Sequence, residues 1–254
     1  MLVTKLFSVV RLLFAGASLP LLAACGPDPA PAVQDSPGST TSASNTSAAM
    51  AAIVVEPQGD GASARVVLHG VDLTGVGHDR GDPRAPIVMV EFSDFGCPFC
   101  ARHALETLPS LDEEFIATGK VFYKHVPFVM GMFPNGDRAA RAAECAGEQS
   151  AFWPMHDSVY AHQADWKRGS EPDAVLRGLA ERVVPDGKRW AACYSDDRQR
   201  ERTAAATAAA RRLGVRATPT FFVNGQMVEG ALPLSAMRAG LNELLGARDA
   251  LRQR

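Results

Sequence analysis

The chain of 254 residues lacks an excess of either charge, with 26 basic against 28 acidic residues and a net charge of −2. Without a basic cluster it has no electrostatic claim on a phosphate backbone, and nucleic acid is not expected among its partners. It lacks any internal repeat. It also lacks a second C-x-x-C or an H-x-x-x-H, so its six histidines and five cysteines do not assemble a four-ligand set at metal-binding spacing, and neither a metal nor another cofactor is expected. The apolar run "LLFAGASLPLLAA" at 12–24 is too short for a good spanning helix.

That run has the layout of an export signal, since Lys5 and Arg11 form a basic leader ahead of it. It ends in "LAAC", residues 22–25, which resembles the lipobox of bacterial lipoproteins. The resemblance implies that residues 1–24 are removed and that Cys25 carries the lipid. Residues 26–62 are rich in Pro, Ser, Thr, Ala and Gly and poor in large apolar side chains. Such composition cannot offset the entropy of ordering, so 25–62 is expected to be a lipidated cysteine followed by a flexible tether. The remainder, 63–250, is long enough for one domain with a full core.

Within it, "PIVMVEF" (86–92) reads as a buried strand, "FCARHALETLPSLDEEFIATG" (99–119) as a helix kinked at Pro109 and stopped at Gly119, and "KVFYKHVPF" (120–128) as a second strand. This is a βαβ unit with parallel strands. Residues 137–212 are helix-forming almost throughout and predict four or five short helices. "TPTFFVNG" and "QMVEG" then predict a hairpin about an Asn-Gly turn, and "PLSAMRAGLNELLGAR" an amphipathic helix. The expected fold is α/β, with a helical insertion between the βαβ unit and the C-terminal hairpin and helix.

The chemistry is concentrated in "EFSDFGCPFC" (91–100), where Cys97 and Cys100 flank Pro98 and Phe99. Two cysteines at this spacing bind metal, staple a fold or exchange electrons in different proteins. Their position past a strand and at a helix start bears on the third use. Unpaired N–H groups and the helix dipole stabilise a thiolate there, and thiols so placed have pKa values of roughly 3.5 to 7.5. Setting Cys25 aside leaves an even four cysteines in an exported chain, which favours disulfides over free thiols. Glu91 stands in the predicted buried strand, where a carboxylate is costly unless useful.

Strand, C-x-x-C at a helix start, "AAECAGEQSAFWPMHD" (142–157), then "GVRATPTFFVNG" (214–225) occur in an order that resembles the DsbA-like branch of the thioredoxin superfamily, bacterial thiol:disulfide oxidoreductases. The resemblance covers about residues 80–247. It implies that Cys97 attacks and is attacked, that Cys100 is the buried resolving thiol, and that the Thr218–Pro219 bond is cis and faces the active disulfide. It implies that Glu91 lies beneath that disulfide and handles protons for Cys100. Pro98 and Phe99 would tune the potential, Phe99 departing from the His of some strong oxidases. Some relatives carry a second, structural bridge, for which Cys145 and Cys193 are the candidates. The implied activity is oxidation of thiols in exported proteins, outside the cytoplasm and at a membrane held by the lipid, with a quinone-linked membrane partner for reoxidation. A disulfide isomerase or reductase of the same fold is the nearest alternative. A Cu(I)-handling lipoprotein using Cys97, Cys100 and the nearby Met130 and Met132 is a more distant one.

Overall fold

The computed structural model describes residues 52–59, 63–196 and 198–253. The export signal, Cys25 and most of the tether lie outside the described residues.

The first three strands, β1 (Ile53–Glu56), β2 (Arg65–Leu68) and β3 (Val71–Asp72), form a small antiparallel sheet in the order β1-β2-β3. The strand β1 corrects the expected tether, whose last part includes the β-branched run "IVV" at 53–55. Paired with β2, those side chains become half-buried against the core.

The main sheet has the order β4-β6-β5-β7-β8, built from β4 (His78–Arg80), β5 (Ile87–Ser93), β6 (Val121–Pro127), β7 (Thr220–Val223) and β8 (Gln226–Glu229). The strands β5 and β6 are parallel as expected, and β7 runs antiparallel to β5. Asn224 and Gly225, both at positive φ, make the hairpin turn between β7 and β8. The Asn224 side chain also accepts the Val88 N–H, at 2.8 Å, which fixes the hairpin to β5.

Alternation along β5 separates two cores. Val90 and Phe92 face one layer, which holds the small sheet and helix α8 (Arg198–Arg212). Ile87 and Met89 face the other, against Leu108, Leu111 and Phe115 and against Met237 and Leu241 of helix α9 (Leu234–Arg252). Glu91 and Ser93 continue this second row, so a carboxylate and a hydroxyl stand where the pattern calls for apolar side chains.

The segment after Cys97 starts as α1 (Pro98–Arg102), widens into a π turn at His103–Thr107, returns to α2 (Leu108–Leu111) and widens again at Asp112–Ile116. The expected kink at Pro109 takes this form because proline has no N–H to give to the preceding turn. The Leu108 N–H instead bonds the carbonyl of His103, five residues back. Gly119, at φ +72°, ends the run.

Among the described residues, six helices lie between β6 and β7: α3 (Gly136–Gly147), α4 (Phe152–Ala161), α5 (Gln163–Lys167), α6 (Pro172–Val183), α7 (Gly187–Ser195) and α8. This exceeds the four or five expected because "HQADWKR" holds the short α5, set off from α4 only at His162. Buried alanines of α3 let its neighbours approach closely, and the fully buried Trp166 and Trp190 fill the space between. Their indole N–H groups are satisfied by the carbonyls of Val159 (2.8 Å) and Ala142 (3.0 Å). Cys145 of α3 and Cys193 of α7 form a disulfide with Cα atoms 5.7 Å apart and 48 positions apart in sequence.

A bridge closing a loop of that length stabilises by about 2 to 4 kcal/mol through the unfolded chain. The Cys145→Ala/Cys193→Ala double variant is expected to lose that much in urea unfolding. An unchanged unfolding midpoint would contradict a structural role.

Candidate active site

Asp94, Phe95 and Gly96 turn the chain from β5 into α1. The Gly96 N–H donates to Oδ1 of Asp94 at 2.8 Å, and the Cys97 N–H to the Asp94 carbonyl at 2.9 Å. Residue 96 has to be glycine, since a Cβ there would lie 2.4 Å from the Cβ of Phe133. Gln163 of α5 clamps the same turn from the insertion, its amide donating to the carbonyls of Phe95 (2.6 Å) and Cys97 (3.0 Å). Cys97 thereby occupies the N-cap of α1, with Pro98 at the first helical position.

Both cysteines of the motif are free thiols and both are buried, while Pro98 and Phe99 between them in sequence are exposed. The Thr218–Pro219 peptide is cis. The Cys97 thiol donates to the Thr218 carbonyl at 3.3 Å, so the loop before β7, more than a hundred residues downstream, completes the site.

The two thiols differ in acidity. Cys97 is brought down to about 6, chiefly by hydrogen bonding with Cys100, then by the Thr218 side chain and the backbone N–H groups of Cys100 and Phe99 at the helix start; burial opposes this. Burial pushes the Cys100 thiol well above its ordinary value, and its contact with Cys97 and the charge of Glu91 act in the same sense. Of the two thiols, Cys97 is therefore the one that ionises first.

Glu91 is only 2 % exposed. Burial lifts its carboxyl to about 7, against hydrogen bonds with Tyr123 and Ser93 that favour the carboxylate. Ser93, next along the same face of β5, favours the charged form of both Glu91 and Cys100, and its Oγ lies 2.8 Å from the Tyr160 hydroxyl. Asp94 is a second buried carboxyl, lifted to about 6 mainly by burial, with one oxygen lacking a hydrogen-bond partner among the described residues.

The structure thus brings together Cys97, Cys100, Thr218, Pro219 and Glu91, all expected from the sequence. Phe99 is 54 % exposed, with the Arg102 guanidinium 5.2 Å above its ring. Cys145 and Cys193 pair in the insertion, and Cys25 lies outside the described residues. Sequence reasoning missed Ser93, Asp94, Tyr123 and Gln163. Asp94 and Ser93 stand inside the quoted motif and a strict reading of strand alternation would have marked Ser93; Gln163 had no signal. Three histidines that nothing in the sequence singles out lie in the interior. His103, His125 and His156 are buried, and each has at least one ring nitrogen without a partner among the described residues.

The family model described as Thioredoxin matches residues 74–243. Among curated proteins the chain is similar to a Na(+)/H(+) antiporter NhaA 1 of Salinispora arenicola, 37 % identical over 164 residues, 65 % of this chain and 24 % of the antiporter. The chain therefore spans about a quarter of the length of such antiporters. It is also similar to a probable disulfide bond formation protein D of Bacillus anthracis, 28 % identical over 151 residues, 58 % of this chain and 69 % of that protein. Among solved structures, oxidised BdbD of Bacillus subtilis superposes with a TM-score of 0.61 at 21 % identity, covering 67 % of this chain and 93 % of that one. The chain belongs to the thioredoxin family, in the DsbA-like form whose helical insertion separates the βαβ unit from the C-terminal hairpin and helix.

Proposed function

We propose that this protein is a thiol:disulfide oxidoreductase that works outside the cytoplasm as a dithiol oxidase. The observation that carries the reading is the placement of Cys97 at the N-cap of α1 against the Thr218 carbonyl, with Cys100 buried one turn on; it brings Cys97 down to about 6 and pushes Cys100 up. A thiolate that is stable when reduced makes the disulfide a ready electron acceptor. The name of the Bacillus anthracis relative, disulfide bond formation, agrees in sense.

In the proposed cycle a substrate thiolate attacks the sulfur of Cys97 in the Cys97–Cys100 disulfide. A bond forms between substrate and Cys97, and Cys100 leaves as a thiolate that takes a proton from the Glu91 carboxyl. A second substrate thiolate then attacks its partner sulfur, and Cys97 leaves as its stable thiolate. The substrate has lost two electrons, now held by Cys97 and Cys100. Thr218 lies beside Cys97, where its backbone can pair with an extended substrate segment.

The substrates are exported proteins with free thiols, the anchor is lipid on Cys25, and a quinone-linked membrane partner restores the disulfide. The leader and "LAAC" motif support the location. Among the described residues no helix is long and apolar enough to cross a membrane, so a membrane-bound partner would be met through the anchor.

Two outcomes follow. Cys100→Ser, expressed in cells, accumulates mixed disulfides between Cys97 and exported proteins on non-reducing gels, because the thiol that releases partners is gone; a variant without adducts contradicts the mechanism. In the reduced protein, alkylation of Cys97 is half-maximal near pH 6 and slows about tenfold for each unit below it, as the thiol gains its proton. The sign for stability is the same. A pKa held below that of the free thiol favours the reduced fold fully above about pH 9, and this is lost as pH falls through about 6. A midpoint near the free-thiol value of about 8.5 would contradict it.

A further inference from the structure

Glu91 is not alone beneath the thiols. The hydroxyl of Tyr123, on the neighbouring strand β6, donates a hydrogen bond to Oε2 of Glu91. His103, one turn past Cys100 in the first π turn, places Nε2 3.3 Å from the same tyrosine oxygen. All three side chains are buried.

A tyrosine hydroxyl has one proton. If that proton points to Glu91, the tyrosine oxygen can only accept from His103, and the imidazole must carry its proton on Nε2. Nδ1 is then bare, which agrees with its having no partner among the described residues, since an orphaned lone pair is tolerated better than an orphaned N–H. Burial brings His103 down to about 3, so the ring is neutral and has a single N–H to give. The three groups form one directed chain, His103 to Tyr123 to Glu91.

We propose that Tyr123 and His103 are positioning residues for Glu91, a two-link donor chain that stabilises its carboxylate while Cys100 holds the exchanged proton. The proposal rests on the oxidoreductase reading of Cys97 and Cys100. In the resolving direction the step balances as follows. Cys100 gives its proton to Glu91, directly or across Ser93, and the thiolate attacks the sulfur of Cys97 in a mixed disulfide. The Cys97–Cys100 bond forms, the bond from Cys97 to the partner breaks, and the partner leaves with the electron pair as a thiolate that is protonated by solvent. Cys100 is oxidised and the partner sulfur reduced.

Removal of the Tyr123 hydroxyl removes the donor that favours the carboxylate, so Glu91 keeps its proton to higher pH and is a poorer acceptor below it. Removal of the His103 N–H acts in the same sense, but only through Tyr123. The other titratable groups around Glu91 are Cys97 and Cys100 at the start of α1, Tyr160 from α4 and His125, its register partner on β6. Asp94 lies in the adjoining turn. Arg80 acts on Tyr123, and His156 on His103. The variants leave all of these in place.

The test uses the full protein with Cys97 converted to its mixed disulfide with glutathione, and follows glutathione release against pH. In the unaltered chain the rate rises through the titration of Glu91, near pH 7, and E91Q flattens it. Y123F shifts the midpoint up by about one pH unit, the expected effect of one hydrogen bond to a charged group, so release at pH 6 slows roughly tenfold. H103F shifts it in the same direction by less, H103Q, which keeps an N–H donor, restores it, and H103F adds nothing in the Y123F background. Infrared titration of the Glu91 carboxyl, with thermal unfolding to confirm that each variant is folded, reads the same shift without turnover. A Y123F midpoint that does not move, or an H103F shift that persists without the tyrosine hydroxyl, overturns the chain. Failure of the unaltered protein to release glutathione in a Cys100-dependent way would overturn the oxidoreductase reading instead.

Discussion

The site depends on placing one sulfur at the start of a helix and the other inside the protein. A thiolate at Cys97 is held by hydrogen bonding with Cys100 and the Thr218 side chain and by the backbone N–H groups that a helix leaves unpaired. The same geometry buries Cys100, one turn on, beside the Glu91 carboxyl, where its thiolate is costly. Neither effect survives unless the turn from β5 into α1 is rigid. Much of the structure serves that turn: Asp94 and Gly96 within it, Gln163 from the insertion, and Thr218 from the loop before β7.

The second constraint is the row of polar side chains that the alternation of β5 places beneath the thiols. Glu91 and Ser93 interrupt an apolar face that otherwise continues from Ile87 and Met89 into α9. An ionisable group in such a position weakens the core unless it is hydrogen-bonded, and Glu91 is, through Tyr123 on the adjacent strand. Burial lifts Glu91 to about 7, into the range where it can both give and accept a proton at physiological pH. The helical insertion closes the row by supplying Tyr160, and the Cys145–Cys193 bridge joins two of the insertion's own helices.

Much of this was legible in the sequence. Short apolar runs bounded by turn residues located β5, β6, β7 and β8, and "EFSDFGCPFC" with "ATPTFF" located the thiols and the proline loop. The pairing of Cys145 with Cys193 entered as an implication of resemblance, and the structure brings the two together. What was not legible depends on contacts between distant segments. Gln163 bonds two carbonyls more than sixty residues away, and Tyr123 meets Glu91 only because β5 and β6 are parallel neighbours in the register that pairs Glu91 with His125 and Met89 with Tyr123. The strand β1 is hidden for a different reason: its four residues, "IVVE", end a long segment whose composition is otherwise that of a tether.

The most direct test is the reduction potential of the Cys97–Cys100 pair, by equilibration with glutathione redox buffers at pH 7. A selectively stabilised Cys97 thiolate predicts an oxidising value, in the range of about −180 to −120 mV found for exported disulfide-forming and isomerising proteins. A value at or below about −270 mV, the poise of thioredoxin as a reductant, would contradict it.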